Sequence, residues 1–230
     1  MLDDQVLSAL DWWEAAGVDT LIDESPRNWL APVQPAARAI EAPAPPTPAA
    51  TLPAELAAFR QWLLADETVP GPPAARLDAA GDPASGTMIV IDMPEAADRA
   101  ARALLGGDAG VLFDKMLAAM GLARDALYLA PLAPARPASG RLDGAQSATL
   151  ARLMRHHIAL VRPRRLLVLG DAAIQALLGE PCHKARGRVH AFSYEGGSAQ
   201  AVASFHPRFL VQTPDRKAAS WADLKLFMPL

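Results

Sequence analysis

Four short apolar runs, each set among amphipathic stretches, constrain this chain most. "TMIVID" (87–92), "ALYLAP" (126–131), "RRLLVLG" (164–170) and "AVASF" (201–205) are too short for helices and lack the alternation of a half-solvated strand. They predict strands buried on both faces. Around them "AELAAFRQWLL", "AGVLFDKMLAAMGL", "DGAQSATLARLMRHHIALV", "DAAIQALLG" and "DRKAASWADLKLF" read as helices. Strands alternating with helices need crossovers, which put a helical layer on each side of the sheet. The expected fold is α/β, a three-layer α/β/α sandwich with a central, mostly parallel four-stranded sheet.

This pattern starts near residue 54 and runs to residue 230. Upstream, residues 31–53 hold 7 Pro and 8 Ala in 23 positions, too much proline for regular structure and too little apolar bulk to bury, so they read as a linker. Residues 1–30 read as a Trp-containing helical segment, with Val6, Leu10 and Trp13 on one face. Such a segment suits docking to a protein partner or folding back on its own domain. No apolar run approaches the roughly 18–20 residues of a membrane span. The N-terminus opens acidic, so a cytoplasmic location is the expectation.

Charge is unevenly placed. Residues 1–100 carry 5 Lys/Arg against 16 Asp/Glu, whereas residues 136–188 carry 10 against 3. A basic stretch of that kind suits an anionic partner such as DNA, or forms a solvated face. Cys182 is the only cysteine, which excludes an internal disulfide or a site built mainly from thiolates. Its neighbourhood "GEPCHKARG" reads as a loop, and the pair with His183 is no catalytic dyad by adjacency alone. His156 and His157 lack ligand spacing and read as solvated or phosphate-facing, and no metal site is expected.

Ligands of a parallel sheet bind beyond the carboxyl ends of its strands. Two of those ends offer chemistry, Asp92 after the first run and His206 after the last. Each has a structural alternative, a helix cap for Asp92 and a hydrogen-bonded structural histidine for His206.

The segments "GDAGVLFDKMLAAMGLARDALYLA", "RPASGR" (136–141), "IALVRPRRLLVLGDAAIQALLG", "RGRVH" (186–190) and "SFHPRFLVQTPDRKAASWADL" together resemble the uracil-DNA glycosylase superfamily, most of all its iron–sulfur branch, family four. The resemblance runs from about Leu56 onward. It implies a DNA partner and base excision by hydrolysis of an N-glycosidic bond after base flipping. It makes His206 the donor to uracil O2 and Pro207 the residue that fixes the turn. Arg208, Phe209 and Leu210 become the tip of a loop entering the minor groove, with Arg136, Arg141, Arg216 and Lys217 near the DNA backbone.

Several positions depart from the family pattern. Its Gly-Glu-(Gly or Ala)-Pro-Gly loop aligns with Ile91, Asp92, Met93, Pro94 and Glu95, which keeps a carboxylate at Asp92 but loses the glycines, with Met93 and Glu95 filling space. The aromatic that stacks on uracil aligns with Leu105, and the Asn that reads its edge with Pro131, which has no donor. Losing both contacts removes roughly 4–6 kcal/mol of transition-state stabilisation. Two cluster cysteines align with Ala135 and Leu150, so no iron–sulfur cluster or other cofactor is expected.

The expectation is therefore a DNA-associated superfamily protein that excises a damaged or deaminated base through a divergent pocket, with efficient uracil excision doubtful. Its alternative is a catalytically inactive DNA-binding or protein-interaction descendant. A nucleotide-cofactor enzyme is disfavoured, because no G-x-G-x-x-G or P-loop follows a strand.

Overall fold

The computed structural model describes residues 52–228. The readings of residues 1–30 and, apart from Leu52 and Pro53, of residues 31–53 fall outside it. The described residues form one six-stranded sheet: β1 (Ala80–Gly81), β2 (Thr87–Ile91), β3 (Tyr128–Pro131), β4 (Arg165–Leu169), β5 (Val189–Tyr194) and β6 (Gly197–Ser204), in the order β1-β3-β2-β4-β6-β5. The inner four, β3-β2-β4-β6, are parallel. They are the four strands expected from the sequence.

The sheet is nonetheless wider than four, because antiparallel strands β1 and β5 pair at its edges. The β5–β6 hairpin turns at Glu195-Gly196, where Gly196 takes φ +85° and Tyr194 pairs with Gly197. A two-residue turn of this kind needs positive φ, which glycine supplies without strain. Along β5 only Phe192 is buried, so no continuous apolar run marks the strand.

The helices are α1 (Leu56–Ala65), α2 (Asp98–Ala101), α3 (Gly107–Ala119), α4 (Gly144–Val161), α5 (Asp171–Leu178), α6 (Cys182–Ala185), α7 (Pro207–Gln212) and α8 (Lys217–Phe227). Side chains alternate across the sheet and so build two cores. Met88, Val90, Leu166, Val168, Ala201 and Ala203 pack with Leu150, Met154 and Ile158 of α4 and Ile174 and Leu177 of α5. Ile89, Ile91, Leu167, Leu169 and Val202 pack with Phe113 and Leu117 of α3 and Leu224 and Phe227 of α8. This is the expected three-layer arrangement. Helix α4 starts at a capping box in which Asp143 accepts the Gln146 N–H at 2.7 Å and the Gln146 side chain accepts the Asp143 N–H at 3.4 Å.

Three local expectations change. The segment after His206 is helix α7 rather than a loop, and "GEPCHKARG" contains the helical turn α6. His157 is not solvated: it is 2% exposed, its Nε2 lies 2.9 Å from the Tyr128 hydroxyl, and burial pushes its pKa down to about 4. On α4 it occupies the inward stripe, three residues after Met154.

Leu150 and Ala135, the positions aligned with cluster cysteines, are buried apolar core. Nearby, Phe59, Val69 and Leu153 form a satellite cluster covered by Trp62 and Leu63. The connection out of α1 is tied together by Arg76, 7% exposed, whose guanidinium donates to the carbonyls of Leu63, Asp66, Val69 and Gly71 at 2.7–3.1 Å. Removing it strands several carbonyl groups at once. Arg76→Ala is expected to lower stability by about 3 kcal/mol, with Arg76→Lys intermediate because it lacks the planar fork. Urea unfolding midpoints of the two variants test this.

Candidate active site

The chain leaves β2 for β3 on one side, while β4 lies on β2's other side. That reversal places a crevice beyond the ends of β2 and β4. A cleft of about 370 Å³ lies at these strand ends, lined by Asp92, Gly170, Asp171, His206, Arg208 and Phe209, with Phe205, Cys182 and His183 completing its wall.

Asp92 follows β2 and is 8% exposed. Its Oδ1 accepts the Ala173 N–H at 2.7 Å, so it caps the first turn of α5 from outside that helix. The N-cap residue of α5, Gly170, has no side chain to do this. A Cβ on Gly170 would overlap the Asp92 carboxylate, and its φ of +110° also calls for glycine. Burial raises the Asp92 pKa to about 6, against the stabilising Ala173 hydrogen bond and the positive charge of Arg208. The helix-cap alternative is therefore real, and it leaves the carboxylate at the cleft.

His206 follows β6 and is the N-cap of α7. Its Nδ1 accepts the Arg208 N–H at 3.1 Å, and Pro207 occupies the first helical position. The His-Pro pair is thus a side-chain cap followed by a residue with its φ preset. An Nδ1 that accepts carries no proton, so the ring proton sits on Nε2. Burial, followed by the charges of Arg208 and Arg136, pushes the His206 pKa down to about 3. The ring is neutral, 4% exposed, and its Nε2–H has no hydrogen-bond partner.

The end of β6 is held from behind. Ser204 donates to Asp223 at 2.8 Å, Ser220 donates to Ser204 at 2.9 Å, and Arg186 pairs with Asp223 at 2.7 Å. Arg186 also lies 3.7 Å over the Phe205 ring. The "RGRVH" segment therefore acts on Phe205 directly, through Arg186, and on Ser204 through Asp223. A second brace holds the segment after Asp92, where the buried Asp98 carboxylate accepts the N–H groups of Glu95, Leu105 and Gly106 at 2.7–2.9 Å. Leu105 sits at φ +53°, and Arg124 donates to the Leu104 and Leu105 carbonyls.

A model of the uracil DNA glycosylase superfamily matches residues 79–225. The chain belongs to that superfamily. It is also 25% identical over 155 residues to the type-4 uracil-DNA glycosylase of Pyrobaculum aerophilum, covering 64% of this chain and 79% of the relative. The superfamily scaffold here lacks the cluster cysteines of that branch, since the chain contains only Cys182.

Within the superfamily frame, the expected catalytic pair does meet at one cleft, as do Arg208 and Phe209. Arg136 comes close as well, donating to the Pro94 carbonyl at 3.4 Å. Met93, Leu105 and Pro131 do not line this cleft: Met93 and Leu105 are core residues, and Pro131 is buried in the sheet beside Ile91. Pro94 is buried too. Leu210 is corrected from wedge to core, since it is 1% exposed and packs inward from α7, leaving Phe209, at 39%, as the exposed apolar residue. Arg141, Arg216 and Lys217 are exposed and away from the cleft lining. The sequence reading did not assign Gly170 or Asp171, although Gly-Asp after a buried strand is a usable signal. Burial pushes the Cys182 thiol up to about 11, which removes it as a nucleophile.

Two measurements follow. Because the Asp92 pKa is raised from 3.8 to about 6, its stabilising contribution is complete below pH 4 and is lost as pH rises through 6. The stability of Asp92→Asn should therefore gain on the order of 3 kcal/mol relative to the parent between pH 4 and 7, read as urea midpoints over pH. His206, depressed to about 3, acts in the opposite sense in the parent and the variant alike, so it cancels in this difference. Gly170→Ala should cost about 2 kcal/mol or more and displace the Asp92 carboxylate, observable by calorimetry and a crystal structure.

Proposed function

We propose that this superfamily member is a DNA glycosylase with a rebuilt pocket, which hydrolyses the N-glycosidic bond of a deaminated or damaged base in DNA. The supporting observation is the neutral, buried His206 whose Nε2–H has no protein partner, placed at one cleft with a carboxylate. Such a base must leave the stack, because its glycosidic bond is inaccessible in a duplex. As that bond breaks, its electron pair moves onto the base, and the Nε2–H donates a hydrogen bond to the carbonyl oxygen where charge collects. A neutral imidazole does this without giving up a proton. Asp92, ionised above about pH 6, faces the electron-poor sugar carbon and accepts the proton of the water whose oxygen bonds to it. The base anion takes up a proton from solvent and Asp92 releases the one it accepted, leaving free base and an abasic sugar.

Arg208 and Phe209 on α7 supply a backbone contact and an apolar wedge, with Pro207 fixing their helix. Arg136, Arg141, Arg216 and Lys217 extend the basic surface. The same proposal holds no iron–sulfur cluster: the donor set does not fit one, with apolar side chains at Ala135 and Leu150 and with Cys182 in the cleft wall. Among the described residues no group of three His, Cys, Asp or Glu could hold a metal, and no described helix is long and apolar enough to cross a membrane. Partner docking through residues 1–30 and a cytoplasmic location belong to the proposal.

A second reading, DNA association without base release, is favoured by the burial of Met93, Leu105 and Pro131 away from the cleft. Assays on single- and double-stranded oligonucleotides carrying uracil, hypoxanthine or xanthine separate the two. Slow release that rises through about pH 6 and then levels is expected, with a loss of about a hundredfold or more in His206→Ala and binding that weakens with salt. Salt-dependent binding without release at any pH would support the second reading. Absence of both would overturn the two together.

A further inference from the structure

The amino end of the sheet, opposite the catalytic cleft, carries a cavity that the proposed reaction does not use. It measures about 510 Å³ and is lined by Ser85, Gly86, Arg164, Arg165 and Gln200. The five residues of β2 separate it from Asp92 by roughly 15 Å.

Backbone hydrogen bonds fix the two arginines at its edge. The Gly86 carbonyl accepts the N–H groups of both Arg164 and Arg165, at 2.9 and 3.1 Å, where the run "RPRR" (162–165) enters β4. Thr87, Arg165 and Gln200 are register partners across β2, β4 and β6 and so share one face of the sheet. There the Arg165 Nε and Nη2 donate to the buried Thr87 hydroxyl at 3.1 and 2.6 Å, and the guanidinium lies 5.5 Å over the Phe227 ring. The Arg164 guanidinium lies against Gly86, where a Cβ would come within 3.1 Å of its Nε and 3.2 Å of its Nη2. Gly86 also sits at φ +73°, so a larger residue would be strained and would push the arginine aside.

Two held cations therefore line one cavity without a counter-charge. Among the described residues no Asp or Glu lines it, and neither arginine is in an ion pair. We infer that this cavity is a phosphate-binding site, in which the Arg164 and Arg165 guanidinium groups share one phosphate group and Gln200 donates a further hydrogen bond. A carboxylate has two oxygens and fills one arginine fork, whereas a phosphate has enough for both. Among the described residues no aromatic side chain lines the cavity to stack a base, so the site takes the phosphate and not the nucleoside attached to it. Two sources carry that group, the DNA backbone and a small phosphate-bearing molecule. The inference goes beyond the glycosylase reading and does not rest on it.

Inorganic phosphate is titrated into the 15N-labelled full chain at constant ionic strength, and the Nε–H signals of Arg164 and Arg165 are followed. Both signals should move along one saturation curve. Acetate should bind about tenfold or more weakly. The same loss is expected for phosphate in Arg164→Gln and in Gln200→Glu, which puts a carboxylate into the cavity. Arg164 and Gln200 are exposed, so both variants should keep the parent's urea midpoint. No saturation, equal affinity for acetate, or unchanged phosphate affinity in either variant would overturn the inference. An oligonucleotide of undamaged bases without a terminal phosphate distinguishes the sources. Displacement of bound phosphate assigns the site to the DNA backbone, and no displacement assigns it to a small phosphate-bearing molecule. The readout is confined to this end of the sheet, so it is independent of base release at the cleft.

Discussion

One hydrogen bond organises the site, the Arg208 N–H donated to His206 Nδ1. It starts helix α7, fixes the ring's orientation and decides which ring nitrogen keeps the proton. A capping residue chosen from the short polar side chains would start the helix equally well, but would leave no second polar atom for the cleft. Histidine is long enough to cap with one nitrogen and present the other. The bond carries this role because β6 is immobilised beneath it, through Ser204, Asp223 and Arg186, and because burial keeps the imidazole neutral.

The inner sheet was legible because a strand buried on both faces writes itself as an uninterrupted apolar run. The edge strand β5 was not, since it buries only Phe192 and its pairing partner supplies what its own composition lacks. Asp92 and His206 could be found because strand ends are where a parallel sheet presents chemistry. Helix α7 was hidden: a Pro after a His reads as a turn until the His side chain is known to cap. That one change turns Leu210 inward, because a helix places successive side chains on different faces, whereas a loop tip exposes all of them. His157 was misread for a related reason, as its polarity outweighed its position on the inward stripe of α4.

The departures from the family pattern form a consistent set. In the connection out of α1, Arg76 gathers the backbone carbonyls of Leu63, Asp66, Val69 and Gly71, and Phe59, Val69 and Leu153 form a small core of their own. A cation with five directed donors organises irregular backbone much as a metal centre does, by presenting many bonds from one point.

The brace formed by Asp98 has a consequence for how the segment after β2 changes over evolutionary time. Its carboxylate closes the 95–106 segment on itself, joining Glu95 to Leu105 and Gly106 through their backbone N–H groups. Backbone contacts are indifferent to which side chains the joined residues carry. The segment therefore behaves as a cassette: its outward side chains can be exchanged while the clasp holds its path, without re-founding the strands beneath.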